Sequence, residues 1–160
     1  MWENIFTPSE SSIVIPLPDA QNSGIIERYL HSSIPAILMA LRDRGLRLAG
    51  YSNKADEFSR SLAEHFFPGT FDAVLGKRPG VPGKPDPAGL RLLLAERGTT
   101  PKECVLVGDG ETDVRSARNA GLRCLAVTWG FRSRESLERE APDALADRPE
   151  ELPELLKSLG

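Results

Sequence analysis

Apolar residues along this chain follow two rhythms. Short dense runs stand at Ile13–Ile15, Leu46–Tyr51, Phe71–Leu75, Cys104–Val107 and Cys124–Val127. Runs of that length, bounded by turn residues, predict strands, the denser ones buried on both faces. Between them the apolar positions recur at helical spacing. Ile34, Ile37, Leu38 and Leu41 form one stripe; Phe58, Leu62 and Phe66 form another. Helices are expected over Ser33–Gly45, Ala55–Phe66, Ala88–Arg97, Val114–Ala120, Ser133–Glu140 and Glu150–Leu159, with a further helical turn over Ile25–Leu30. Pro35 stands in a first turn, and Gly45, Gly98 and Gly121 stand at or just past last turns.

Strand and helix alternate at βαβ spacing from Leu46 to Val127. That predicts an α/β, Rossmann-like core of three layers, with a mostly parallel sheet between helices. Ile13–Ile15 stands outside this alternation. Pro16 and Pro18 donate no ladder hydrogen bonds, so the strand must end there or lie at an edge. Without a central strand, the Leu46 and Cys104 strands would leave backbone groups unpaired. Ile13–Ile15 is therefore expected to fill that place. Residues 1–12 are polar and irregular and read as a tail, and residues 13–160 read as one core domain.

Candidate chemistry gathers at the strand ends. Ser52 and Asn53 follow the second run, Lys84 lies in the loop Gly76–Pro87, and Asp109 and Asp113 follow Cys104–Val107. Right-handed crossovers bring such ends to one rim, where ligands of open α/β sheets bind. A hydroxyl and backbone amides can hold a phosphate oxygen there. A lysine can neutralise a second charge, and a carboxylate pair suits Mg²⁺. Each residue also has a plain reading: Ser52 and Asp113 as helix caps, Asp109 as a turn residue, Lys84 as a solvated loop residue. Their order on successive strand ends favours phosphoryl chemistry.

Composition trims the alternatives. The chain has 160 residues, 40% apolar and 27% charged, with net charge −3. That suits one domain and gives no basic clustering for nucleic acid. No apolar run approaches the roughly 20 residues of a membrane helix, so no membrane partner is expected. No secretory pattern opens the chain. Cys104 and Cys124 read as packed free thiols, and a cytoplasmic location follows as the expectation. Trp2 and Trp129 read as packing residues, with the rim as the alternative place for Trp129.

Three motifs together resemble a known family. Ser52-Asn53-Lys54, then Gly83-Lys84-Pro85-Asp86-Pro87, then Val107-Gly108-Asp109-Gly110-Glu111-Thr112-Asp113 look like the second, third and fourth motifs of the haloacid dehalogenase-like hydrolases. Gly76 to Asp86 is similar to the phosphoglycolate phosphatase branch, as are Ala117–Gly121 and Val127-Thr128-Trp129-Gly130. The resemblance covers roughly Ile34 to Leu155. It implies Mg²⁺-dependent hydrolysis of a small phosphorylated metabolite. By that resemblance Ser52 and Asn53 bind the phosphoryl group and Lys84 stabilises its charge. Asp109 ligates Mg²⁺, and Asp113 supports the metal shell.

The family's first motif, Asp-x-Asp-Gly-Thr, is missing from the sequence. Laid against it, Pro16 falls on the nucleophile and Pro18 on the acid/base, with Asp19 one residue beyond. Only the short stretch between Asp19 and Ile34 stands where the family usually inserts a cap domain, so a core without a cap is expected. A rim without its cap suits dimerisation, and a homodimer is among the expected partners. Three readings stay open. One is a phosphatase of impaired chemistry. Another is an inactive core that binds phosphate, Mg²⁺ or a protein. The last is a rearranged product whose nucleophile comes from another chain.

Overall fold

Successive side chains of a strand point to opposite faces of its sheet. Here that alternation builds two hydrophobic layers. Ala49, Cys104, Leu106, Cys124 and Ala126 feed one cluster, while Leu48, Val105, Val107, Leu125 and Val127 feed the other. The structure, a computed structural model, describes residues 12–16, 33–130 and 132–160. In it the strands are β1 (Ser12–Pro16), β2 (Arg47–Ala55), β3 (Ala73–Lys77), β4 (Cys104–Gly108), β5 (Arg123–Val127) and β6 (Ala144–Ala146). The helices are α1 (Ile34–Asp43), α2 (Asp56–Phe66), α3 (Ala88–Arg97), α4 (Glu111–Ala120), α5 (Arg134–Arg139) and α6 (Leu152–Leu159).

The sheet order is β3-β2-β1-β4-β5-β6, and its pairs are parallel. Apolar residues of α3, α4 and α5 cover one face; those of α1 and α6 cover the other. The expected three-layer α/β core is therefore present. Strand β1 takes the central place proposed for Ile13–Ile15, between β2 and β4. It begins one residue earlier, at Ser12, and ends at Pro16, whose ring nitrogen has no hydrogen to donate. The strand order reverses between β1 and β4. The carboxyl ends flanking that reversal are where an open α/β sheet forms its ligand crevice.

Several boundaries differ from the sequence reading. Strand β3 begins two residues later than expected, at Ala73, and Phe71 before it packs edge-to-face on Phe67 at 5.9 Å. Helix α4 starts at Glu111 rather than Val114, which brings Asp113 into its first turn. The stripe Phe58–Leu62–Phe66 is not the buried face of α2. Ser59 and Ala63 are buried, and Phe58 is 46% exposed under the Lys54 ammonium. Strand β6 was not expected: three residues, Ala-Leu-Ala, carry little strand signal, and pairing with β5 decides their state. Cys104 and Cys124 are buried free thiols. Trp129 packs against the Val107 and Val127 layer. The Ile25–Leu30 turn, Pro18, Asp19 and Trp2 lie outside the described residues.

The two layers yield a contrast to measure by urea unfolding. Leu125, with no exposed surface in β5, should cost about 2–5 kcal/mol when changed to alanine. Phe58→Ser, on the outer face of α2, should stay within about 0.5 kcal/mol of wild type.

Candidate functional site

Strand β2 carries the first part of the rim. Its pairing with β3 runs Tyr51↔Leu75 and then Ala55↔Lys77, so β2 uses four steps where β3 uses two. The bulge takes the Ser52–Lys54 backbone out of the regular ladder. The Ser52 hydroxyl accepts from the Lys54 amide at 3.1 Å, a local turn that curls the strand end. Asn53 reaches across to the loop after β3. Its Oδ1 accepts from the Lys84 amide at 2.7 Å, and its Nδ2 donates to the Lys84 carbonyl at 3.3 Å. Both ends of one side-chain amide therefore fix the Lys84 backbone, which precedes a cis bond to Pro85. Gly83 leaves room for this grip, since a Cβ there would lie 2.8 Å from Asn53 Oδ1.

The loop is tied at its root as well. Asp56 accepts from the Gly76 amide at 2.8 Å and pairs with Arg78 at 3.3 Å. Burial, the largest influence, raises the Asp56 pKa, but the Gly76 amide, Arg60, which donates at 2.9 Å, and Arg78 together hold it below its ordinary value.

Strand β4 and helix α4 carry the second part. Asp113 is the hub. Its Oδ1 accepts from Lys84 Nζ at 2.8 Å, and its Oδ2 accepts from the amides of Asp109 and Gly110 at 3.2 Å each. The pair is secluded, with the Lys84 and Asp113 side chains 9% and 4% exposed. Asp113 thus caps α4, and the same carboxylate holds the lysine. Gly108 is required beneath it, because a Cβ there would sit 2.3 Å from Asp113 Cβ. Asp109 lies just beyond β4, pressed by the backbone after β5: a Cβ on Gly130 would meet Asp109 Oδ2 at 2.3 Å. Burial first, and the Asp113 charge second, push the Asp109 pKa above its ordinary value, while Lys84 and Arg132 pull against them.

Tyr51 was not among the residues singled out from the sequence. Its ring lies 5.3 Å from Lys84 Nζ, so the ammonium rests between an aromatic face and a carboxylate. The ring is 2% exposed, and its hydroxyl has no hydrogen-bond partner among the described residues. Burial is the main cause that pushes the phenol up to about 12. Gly89 of α3 makes space for that hydroxyl, since a Cβ there would lie 2.4 Å from it. Strand alternation could have flagged Tyr51, which shares a face with Asn53.

The structure therefore joins Asn53, Lys84, Asp109 and Asp113 into one bonded chain. Ser52 sits between Tyr51 and Asn53, with its hydroxyl turned to its own strand end. Groups so placed can bind an anion with Lys84 and loop amides, and a cation with Asp109.

Two substitutions probe this network. Lys84→Met should destabilise the fold by about 3 kcal/mol in urea unfolding, because it strands a buried carboxylate. Asp109→Asn should do the reverse at pH 7 in metal-free buffer. A carboxyl whose native pKa is raised loses stability as it ionises, so the amide should melt higher than wild type at neutral pH. The gain should fade in acid, where the wild-type carboxyl is protonated.

Comparison with known proteins points the same way. A family model described as haloacid dehalogenase-like hydrolase matches residues 9–121, more than half of the chain. A phosphoglycolate phosphatase of Pseudomonas putida is 32% identical over 108 residues, covering 67% of this chain and 40% of that protein. Another, from Aquifex aeolicus, is 30% identical over 127 residues, covering 79% and 58%. The chain spans about half the length of the curated relatives it matches. The crystal structure of a predicted phosphoglycolate phosphatase from Haemophilus somnus superposes with TM-score 0.71 at 26% identity, over 78% of this chain and 56% of that one. A haloacid dehalogenase-like family protein from Streptococcus pneumoniae shares the fold, with TM-score 0.74 at 18% identity over 94% of this chain and 100% of that one. The chain belongs to the haloacid dehalogenase-like hydrolase family.

Proposed function

We propose that this chain is a phosphoryl-binding core of the phosphoglycolate phosphatase type, acting on a small phosphorylated metabolite with Mg²⁺ in the cytoplasm. In this reading the core begins with β1 at Ser12 rather than at residue 13, runs to residue 160, and is interrupted by no cap domain. The observation that carries the reading is the ion pair of Lys84 and Asp113 beside Asp109, at the carboxyl ends of the sheet. Ser52 and the bulged amides of Ser52 and Asn53 receive the phosphoryl oxygens. Asn53 contributes through its backbone while its side chain holds Lys84. Lys84 offsets the oxygen charge, and Asp113 positions Lys84.

The residues fit Mg²⁺. Asp109 offers a carboxylate whose charge is disfavoured by burial and by Asp113, a setting that a divalent cation relieves. Among the described residues no three His, Cys, Asp or Glu side chains converge on a metal position. Mg²⁺ accepts that, since it is commonly held by one or two carboxylates, with substrate phosphate and water completing its shell. When bound there it would neutralise charge that develops on the phosphoryl oxygens.

A second reading rests on Pro16. This proline ends the central strand, paired with Tyr51, where the family's motif supplies an aspartate. Proline has no nucleophilic side chain. Loss of a covalent nucleophile removes most of an enzyme's rate advantage, because the group acts as a unit with its neighbours. The core would then bind phosphate and Mg²⁺ without turnover, or serve a protein partner, a second copy of the chain included.

One experiment separates them: Mg²⁺-dependent phosphate release from phosphoglycolate and from an aryl phosphate, beside Asp109→Asn. Turnover that the variant lacks supports the hydrolase reading. Binding of phosphate without turnover supports the inactive core. If neither binding nor turnover responds to Mg²⁺, the site assignment falls.

A further inference from the structure

Glu111 stands in a slot of the fourth motif that the proposed chemistry does not use. In the fold it builds a clasp. Its Oε1 accepts from the Ser136 hydroxyl of α5 at 2.6 Å. Its Oε2 forms an ion pair with Arg132 Nε at 2.9 Å. Glu111 lies two residues after Asp109, and Arg132 lies two residues after Gly130, whose backbone abuts the Asp109 carboxylate. The segments after β4 and β5 are thus locked together at the rim, around the cation site proposed above.

This arrangement leaves one group unspent. Glu111 meets the guanidinium through Nε. The two terminal nitrogens of Arg132 have no partner among the described residues, and the side chain is 59% exposed. The other arginines near this edge are consumed. Arg115 is paired with Glu140, and Arg118 donates to the Glu140 carbonyl. A planar fork held by its Nε end and open at the other is suited to a bidentate anion.

We propose that Arg132, steadied by Glu111 and Ser136, selects the substrate by binding a second anionic group on a small phosphomonoester. The inference rests on the phosphoryl site described above and deepens it. The phosphate occupies the Ser52–Lys84–Asp109 side. A carboxylate or second phosphate a few atoms away meets the Arg132 fork. An exposed guanidinium adds little to stability, so its effect falls on discrimination rather than folding.

The test is a titration of the full chain in Mg²⁺ by calorimetry, with methyl phosphate and phosphoglycolate as the two ligands. They share a phosphomonoester and differ in the carboxylate. Wild type should bind phosphoglycolate about tenfold more tightly. Arg132→Met should bring that ratio to near one; any change that falls equally on both ligands cancels. Arg132→Lys should keep only part of the preference, because the fork is lost. Glu111→Gln should give an intermediate ratio, and high salt should shrink the wild-type ratio. A wild type without preference, or an Arg132→Met variant that keeps it, overturns the inference while the phosphoryl site stands. If methyl phosphate does not bind wild type at all, the phosphoryl site falls and the inference falls with it.

Discussion

The carboxylate of Asp113 is the constraint on which this site depends. It is secluded from water, and an isolated buried charge is costly. Three donors satisfy it: the Lys84 ammonium and the amides of Asp109 and Gly110. These come from the loop after β3 and the turn after β4. One side chain therefore caps a helix, fixes a turn and locates a cation. Such a pair contributes little net stability against an apolar substitute, and its value lies in the geometry it enforces.

Around that pair the fold removes side chains rather than adding them. Gly108 and Gly130 let the ends of β4 and β5 close on Asp113 and Asp109. Tyr51 closes the underside of Lys84, and its hydroxyl has no hydrogen-bond partner among the described residues.

Much of this was legible in the sequence, and the reasons are specific. Dense runs such as Cys104–Val107 mark buried strands because both faces are covered. The punctuated motifs around Lys84 and Asp109 mark the rim because glycine and proline leave few alternatives there. The place of Ile13–Ile15 followed from the need to pair two neighbouring strands. Other features were hidden. Phe58 looked like a core residue by spacing, yet Ser59 and Ala63 are what the sheet covers. The Ala144–Ala146 strand exists through its partner and not through its own composition. The Tyr51–Lys84 and Glu111–Arg132 contacts join residues 33 and 21 positions apart, a separation that local pattern cannot span.

The two glycines under the carboxylates also divide the site for evolution. A Cβ on Gly108 would run into the Asp113 side chain and one on Gly130 into the Asp109 side chain, so these two positions admit little variation. Arg132 stands on the far side, solvated and dispensable to the core. New preferences can therefore arise at the edge while the centre is inherited unchanged.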